Sequence, residues 1–286
     1  MTVLALSLVL AAAFVHASWN LLAKRVAGGV AFVWLFGILS TLIYAPLAIG
    51  ILIWQQPKIG FAQLAFMIGS GVIHTGYFLL LQQGYRVGDL SLVYPLARGT
   101  GPMLSTVAAI AILGERPTAI ALGGVILIAV GIFLFTATAP QGRTSNRLQA
   151  IAFALLTGVC IATYTLWDKY AVSQLFIPPL LLDWFSNLSR AVLITPLMLR
   201  QSTQVKRYWQ FHRFEVIGVA CLCPLSYILV LTALIFSPVS YIAPAREISI
   251  VIGAIMGTQL LAEKNAKRKL FASSLMVLGV VALAFG

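Results

Sequence analysis

The chain has 286 residues, of which 60% are hydrophobic and only 9% are charged, against about 25% charged residues in an ordinary soluble domain. Together with a mean hydropathy of +0.98, this composition excludes a soluble globular protein, a disordered chain and a disulfide-stapled module, and it indicates a polytopic membrane protein. The net charge of +12 does not indicate nucleic-acid binding, because most Lys and Arg residues fall in short gaps between apolar runs.

Ten apolar runs follow one another along the chain, each long enough for a membrane-spanning helix. They cover residues 3–23, 30–53, 61–83, 91–113, 118–137, 149–168, 178–199, 214–236, 238–261 and 269–285. Because a lipid-exposed backbone must satisfy its own hydrogen bonds, the predicted fold class is an all-α integral membrane protein. A polar stretch, Pro140 to Arg147, interrupts the pattern. We therefore predict a first five-helix repeat in residues 1–138, a linker in 139–148 and a second repeat in 149–286.

An ordered series of matches between the two halves supports an internal duplication. The matched segments, at offsets of 145 to 148, are Ala97-Arg98 with Ala245-Arg246, Gly114-Glu115-Arg116 with Ala262-Glu263-Lys264, and Ala17-Ser18-Trp19 with Ala162-Thr163-Tyr164. Because each half holds an odd number of predicted spans, the halves are expected to lie in the membrane with opposite orientations. Inverted repeats are a recurring transporter design, with the substrate site at the midplane between the repeats.

Several short motifs make the chain resemble the EamA branch of the drug/metabolite transporter superfamily. They are the Gly114-Glu115-Arg116 turn and its copy at 262–264, the segments Gly88–Pro95 and Ser237–Pro244, and His16-Ala-Ser-Trp-Asn20. The resemblance covers essentially the whole chain. It implies an exporter of amino acids or other small metabolites, such as the YddG-like aromatic amino-acid exporters. The superfamily also contains carriers of nucleotide sugars and sugar phosphates.

Lys and Arg are distributed unequally between the two sets of loops. One set holds 13 of them, whereas the other holds only Lys58, Arg116 and Lys169. The positive-inside rule places the richer set in the cytoplasm and both termini outside, while the family resemblance implies termini inside for many members. Both orientations stay open at this point. We expect a multi-pass protein of the bacterial inner membrane that works as a monomer.

Arg98, Arg190 and Arg246 lie within predicted spans, where a lipid-facing arginine would cost about 2.5–3.5 kcal/mol. Arg98 and Arg246 occupy equivalent repeat positions, so we predict that they face one cavity and bind a substrate carboxylate or phosphate. The alternative is structural ion pairing with Glu247 or Asp183. Glu247 is expected to pair with Arg98, to receive a substrate ammonium, or to carry a coupling proton.

One face of the seventh span combines Asp183, Asn187 and Arg190 at i, i+4 and i+7, a spacing that favours an internal structural network. His16 and His74 are candidates for a proton-sensitive site, against the alternative of ordinary hydrogen bonding at a helix interface.

Four aromatic residues lie towards the middle of the predicted spans. Trp19, Tyr77, Tyr164 and Tyr227 are candidates to line an amphipathic pocket, where cation–π contact would hold an ammonium group. Pro95, Pro102 and Pro244 are predicted hinges, since proline frees backbone groups within a helix.

The combined interpretation is a secondary transporter of small molecules that exports amino acids by alternating access. We do not expect an enzyme, and we expect no metal or cofactor. The expected partners are the substrate and the lipid bilayer. Transport is expected to be coupled to protons through Glu247 or a histidine. A sugar-phosphate carrier would need lysines within the spans, and the predicted spans hold none beyond Lys269 at the first position of the last one. A proton-driven cation exporter would need an acid in residues 3–23, which hold none. An embedded enzyme using His16, His74 and Asp183 lacks a nucleophile motif.

Overall fold

The computed structural model describes residues 1–26, 29–88, 90–136, 147–199, 201–261 and 266–286. Within these ranges the chain forms eleven α-helices and no strand. The helices are α1 (Val3–Val26), α2 (Val30–Trp54), α3 (Phe61–Val87), α4 (Leu90–Leu113), α5 (Ala119–Thr136), α6 (Arg147–Ser173), α7 (Pro179–Leu199), α8 (Ser202–Phe236), α9 (Val239–Ala245), α10 (Ile248–Leu261) and α11 (Ala266–Phe285). Most of the predicted linker lies outside the described residues.

Six of these helices contain segments that are long and apolar enough to cross a membrane. The segments are Val3–Ala23, Val30–Trp54, Phe61–Val87, Leu96–Leu113, Leu148–Ser173 and Thr203–Phe236. Two shorter apolar segments, Ala119–Leu134 and Phe271–Phe285, lie in α5 and α11. The all-helical membrane fold predicted from composition is therefore confirmed at this level.

The helices of the two halves pack on one another in exchangeable pairs. The contact of α1 with α8 corresponds to that of α6 with α3. The contact of α4 with α6 corresponds to that of α10 with α1, and the contact of α3 with α7 corresponds to that of α8 with α2. Helices α2 and α7 contact each other directly, as do α5 and α11. The contacts therefore repeat when α1, α2, α3 and α5 are exchanged with α6, α7, α8 and α11, and α4 with the pair α9 and α10.

The contact between α5 and α11 depends on two glycines. A Cβ atom added at Gly124 would lie 2.6 Å from the Gly279 carbonyl oxygen, and one added at Gly279 would lie 2.6 Å from the Gly124 carbonyl oxygen. Helices in lipid associate through such close backbone contacts between small residues. The hydrophobic effect does not drive this association, because the surrounding lipid is as apolar as the helices.

The ninth predicted span, 238–261, is not one helix, which corrects the sequence-based assignment. It divides into α9 and α10 at Arg246 and Glu247. Pro244 supplies no N–H to the hydrogen bonds of the helix. The hydrogen bonds that follow are of the tighter i→i−3 type. The Glu247 N–H donates to the Pro244 carbonyl at 3.0 Å, and the Ile250 N–H donates to the Glu247 carbonyl at 2.9 Å. A short tightened segment inside a helix often marks a functional hinge.

The sixth predicted span was too short at its C-terminal end. Helix α6 continues to Ser173, so Asp168 and Lys169 lie within a membrane-length helix, and the expectation of lysine-free spans is wrong. The Lys169 Nζ donates to the carbonyls of Leu234 at 2.5 Å and Ser237 at 3.1 Å. The end of α8 thus supplies acceptors for the ammonium group, which is why an apolar helix tolerates it.

Residues 202–213 form helix rather than the predicted loop. Helix α8 begins at Ser202 and has a non-helical backbone at His212, so a short first segment joins the apolar segment at an angle. The exposed aromatic side chains of Trp209, Phe211 and Phe214 are interleaved with Lys206, Arg207 and Arg213. This pattern is typical of a helix lying at a membrane surface.

Candidate functional site

A cavity of about 270 Å³ lies at the centre of the helix assembly. Seven helices, α1 to α4 and α6 to α8, contribute to its wall, together with the break after α9. Of the binding residues predicted from the sequence, the cavity is lined by His16, Trp19, His74, Tyr77, Arg98, Tyr164, Tyr227 and Arg246. Glu247 is fully buried behind this wall and is not among the lining residues.

The cavity extends towards one face of the assembly. Its lining reaches Ala23 in the last turn of α1, Phe32 in the first turn of α2 and Tyr85 in the last turn of α3. Because α2 begins shortly after α1 ends, these helix ends lie on the same side. That side carries the loops rich in Lys and Arg.

At the opposite face, charged side chains bind the helix ends together. Glu115 accepts hydrogen bonds from the N–H groups of Val239 at 2.7 Å and Ser240 at 2.8 Å, so its carboxylate caps the N-terminus of α9. Beside it, Lys169 binds the last carbonyls of α8. The Gly-Glu-Arg turn found in the sequence therefore has a structural purpose. Its copy at Glu263 lies outside the described residues.

A buried ionic centre stands at the break between α9 and α10. The Arg98 Nη2 lies 2.9 Å from Glu247 Oε2, and the Arg246 Nε lies 3.6 Å from Glu247 Oε1. Glu247 is completely buried, and the two arginine side chains are each less than one-tenth exposed. One carboxylate thus serves two guanidinium groups, one from each half of the chain, and leaves one positive charge uncompensated within this trio.

Arg246 carries that surplus charge towards the cavity. Its side chain is 7% exposed and lines the cavity, yet its buried Nη2 has no hydrogen-bond partner among the described residues. Leaving a charged donor unsatisfied away from water is costly. Because Arg246 lines the cavity, an anionic group that enters the cavity and reaches the guanidinium would satisfy this donor.

An aromatic wall adjoins Arg246. The His74 ring stacks on Tyr164 with centroids 4.2 Å apart and meets Tyr227 edge-on at 5.3 Å, and Tyr77 contacts Tyr164 at 5.8 Å. The His74 Nδ1 donates to the Ser70 carbonyl at 2.9 Å, because a carbonyl can only accept. This hydrogen bond fixes the ring orientation, so His74 is held as part of the wall.

A second aromatic group comes from α1. His16 meets Trp19 edge-on at 4.8 Å, and the Trp19 Nε1 donates to Ser226 Oγ at 3.3 Å. Both rings line the cavity, as does Ser226. The side chains proposed from the sequence on α1 and on α3 therefore face the same space.

The network predicted on α7 exists, but it lies in the cavity wall. Asn187 Nδ2 donates to Asp183 Oδ2 at 2.8 Å, Arg190 Nη2 donates to Asn187 Oδ1, and the Arg190 guanidinium lies 4.7 Å from the Phe78 ring centre. All three polar residues line the cavity. The interpretation of a purely internal network is therefore too narrow, because hydrogen-bond spacing along one helix does not reveal what that face borders.

Asp168 is a residue that sequence reasoning missed. It is fully buried, and its Oδ2 accepts a hydrogen bond from the Tyr227 hydroxyl at 2.6 Å. The predicted span ended at this position, so Asp168 looked like a boundary residue. An acidic residue one helical turn beyond Tyr164 was the available signal, because α6 places both on neighbouring positions of one face.

The predicted hinges occupy different settings. Pro244 lies next to the break after α9, whereas Pro102 lies in the continuous helix α4. Pro95 also belongs to α4, but its side chain is outside the described part of the structure. Over the part of the chain that is described, no cluster of three His, Cys, Asp or Glu residues could hold a metal ion.

Comparison with known proteins places this fold in a family. The model of the EamA-like transporter family matches residues 3–137 and again residues 148–285. A solved crystal structure of a protein superposes with a TM-score of 0.79 at 11% identity, over 98% of this chain and 96% of that one, which shows a shared fold. No curated protein sequence matches significantly. Because the family model covers nearly the whole chain, the protein belongs to the EamA-like transporter family, whose members are membrane transporters of the drug/metabolite transporter superfamily.

Proposed function

We propose that this transporter exports small zwitterionic metabolites, namely aromatic or other neutral amino acids, across the bacterial inner membrane by alternating access. The observation that carries the proposal is the guanidinium of Arg246, which lines the cavity with a buried Nη2 that no described residue satisfies. An α-carboxylate would supply the missing acceptor through charge-assisted hydrogen bonds.

The rest of the cavity suits the other parts of an amino acid. The rings of His74, Tyr164 and Tyr227 offer an amphipathic wall for the substrate side chain. Glu247 is already engaged by two arginines, so the ammonium group is assigned to Asp183, which lines the cavity and uses Oδ2 to bind Asn187.

The size of the cavity favours this substrate class over the alternatives. Its volume of about 270 Å³ lies below the roughly 300–1,000 Å³ of pockets that take drug-sized ligands, which supports a small metabolite over a nucleotide sugar. Lys206 lies in the short segment of α8 before the His212 kink, and Lys169, within the described part of α6, binds backbone carbonyls. It is therefore not offered to a sugar phosphate.

We further propose that the chain consists of two inverted five-helix repeats, 1–138 and 149–286. The double match to one family model and the exchangeable helix contacts support this arrangement. The cavity extends to the face with most of the basic loops, so the positive-inside rule would make this conformation inward-facing, with both termini outside. Because both repeats lie in one chain, we propose that the protein works as a monomer. We also propose that it is a YddG-like exporter.

The proposal is tested by counterflow in proteoliposomes preloaded with a panel of unlabelled amino acids. We expect saturable uptake of several labelled neutral amino acids by the wild type. Arg246→Ala should reduce it about 10- to 150-fold, because a hydrogen bond to a charged group is worth about 1.5–3 kcal/mol. Arg246→Lys should retain part of the flux, since it keeps the charge and loses the planar fork.

The matched control is Arg213→Ala, which removes an exposed arginine on α8 that contacts only Phe214 among the described interactions. It should transport like the wild type. Equal flux in Arg246→Ala and Arg213→Ala would contradict the carboxylate site. No counterflow of any amino acid by correctly folded wild type would contradict the substrate class.

A further inference from the structure

Among the described residues, three buried acidic side chains lie around the centre of the assembly, and they differ in their partners. Glu247 lies between Arg98 and Arg246. Asp183 is linked through Asn187 to Arg190. Asp168 is fully buried, and no described cation forms an ion pair with it. A buried carboxylate without a countercharge is strongly disfavoured in its ionised form.

The hydrogen bonds of Asp168 leave room for a proton. Its Oδ2 accepts from the Tyr227 hydroxyl at 2.6 Å, and its Oδ1 is buried without a hydrogen-bond partner among the described residues. A carboxylate has about four acceptor positions, and the hydroxyl groups of Tyr227 and Ser70 use at most two of them. A bound proton removes the charge that this environment does not compensate.

The adjacent lysine does not supply that compensation. Lys169 is the next residue on α6, but its ammonium is directed to the carbonyls of Leu234 and Ser237. Because consecutive residues project about 100° apart on a helix, the two side chains point to different neighbours. The pair Asp168-Lys169 is therefore not a salt bridge in this structure.

The surroundings of Asp168 contain both signs of charge at greater range. The titratable groups that interact with it are Tyr227 on α8, through the hydrogen bond, and Asp183 on α7, through its charge. The cavity that Tyr227 lines also carries His74 on α3, Arg98 on α4, Tyr164 on α6 and Arg246 after α9, whereas Lys169 on α6 is directed to the end of α8. Ser70 on α3 is a further polar neighbour. The direct contact with a cavity-lining group is that with Tyr227.

We propose that Asp168 is the proton-binding site that couples transport to the proton gradient, and that the Tyr227 hydroxyl connects it to the substrate cavity. The proposal rests on the transport function proposed above and replaces Glu247 and the histidines as the expected proton carriers. Glu247 is less suited because two guanidinium groups stabilise its charge. His74 is less suited because its ring is buried against Tyr164 and Tyr227 in a cavity wall that already carries Arg190 and Arg246, which disfavour a further positive charge.

The proton transfer balances through one hydroxyl group. Tyr227 passes its hydroxyl proton to Asp168 Oδ2 and takes one from a hydronium ion in the cavity, so the carboxylate becomes a carboxylic acid and the hydronium ion becomes water; release is the reverse. Tyr227 also borders Tyr164 and the space in front of Arg246. Substrate binding that moves Tyr227 therefore changes proton affinity, and proton binding changes substrate affinity by the same factor.

The first test measures the proton directly and needs no substrate. Infrared difference spectra of the protein in liposomes should show the carbonyl stretch of a protonated, buried carboxylic acid that disappears on raising the pH. The band should be missing in Asp168→Asn and present in Glu215→Gln, which removes an acid near the His212 kink of α8. An unchanged band in Asp168→Asn would overturn the proposal.

The second test separates coupling from transport. With an acidic vesicle interior, the wild type should accumulate labelled amino acid as protons leave, whereas Asp168→Asn should lose this accumulation and keep counterflow. Asparagine preserves an acceptor for Tyr227, so the wall geometry is retained. Gradient-driven accumulation by Asp168→Asn would overturn the proposal, and so would loss of counterflow in a folded Asp168→Asn protein. Absent counterflow in the wild type would instead contradict the proposed substrate class, while the infrared test still decides the proton site.

Discussion

At the scale of single residues, the membrane makes every buried charge informative. Arg98 and Arg246 could be identified from sequence because a lipid-facing arginine is too costly to keep, and their repeat positions indicated one shared centre. Asp168 could not be identified in the same way. Its importance depends on which neighbour its helix face meets, and only the packing of α6 against α8 brings it to Tyr227.

The ionic centre predicts a large cost for neutralising its acid. Glu247→Gln should lower the free energy of unfolding by about 3–5 kcal/mol, because two buried guanidinium groups would lose their shared countercharge. Thermal unfolding in detergent, followed by tryptophan fluorescence, measures the change. Glu215→Gln, which neutralises a half-exposed acid on α8, is the control and should melt like the wild type. Equal melting of the two variants would contradict a stabilising role for Glu247.

At the scale of secondary-structure elements, the helix positions were predictable and their interruptions were not. Long apolar runs locate the helices because lipid requires internally satisfied backbone groups. The division after α9 depends on where the groups freed by Pro244 find new partners, which hydropathy does not report. The end of α6 was misplaced because Lys169 finds acceptors at the end of α8, a contact remote in sequence.

We predict that the hydrogen bonds of Glu115 to the N-terminus of α9 keep the face opposite the cavity mouth closed. Glutamine has a single acceptor oxygen in place of the two that bind Val239 and Ser240, so Glu115→Gln should cost about 1 kcal/mol and favour conformations open at this face. Labelling of Ser237→Cys by an impermeant maleimide, in a background without native cysteines, should accelerate in Glu115→Gln.

The neighbouring substitution Arg116→Gln is the control for this measurement, since it changes the same turn without removing the cap. It should leave the labelling rate near that of the Ser237→Cys background. Equal labelling in Glu115→Gln and Arg116→Gln would show that the carboxylate does not hold this face closed.

At the scale of the whole molecule, the sequence indicated a duplicated helical membrane protein, and the family match covers both halves. The cavity could be anticipated because Arg98, Arg246 and the mid-span aromatic residues needed a common space. The contribution of α7 to that space was missed, since the same spacing of Asp183, Asn187 and Arg190 serves an internal network equally well. What substrate enters is a question of chemistry at Arg246 rather than of the fold.

The most direct measurement of the central claim is a thermodynamic cycle between protein and substrate. Counterflow would be inhibited by a neutral amino acid and by the amine that lacks its carboxylate, in wild type and in Arg246→Ala. If the carboxylate binds Arg246, the wild type should prefer the amino acid by about 10- to 150-fold, and Arg246→Ala should lose most of that preference. An equal preference in both proteins would place the carboxylate elsewhere and contradict the account.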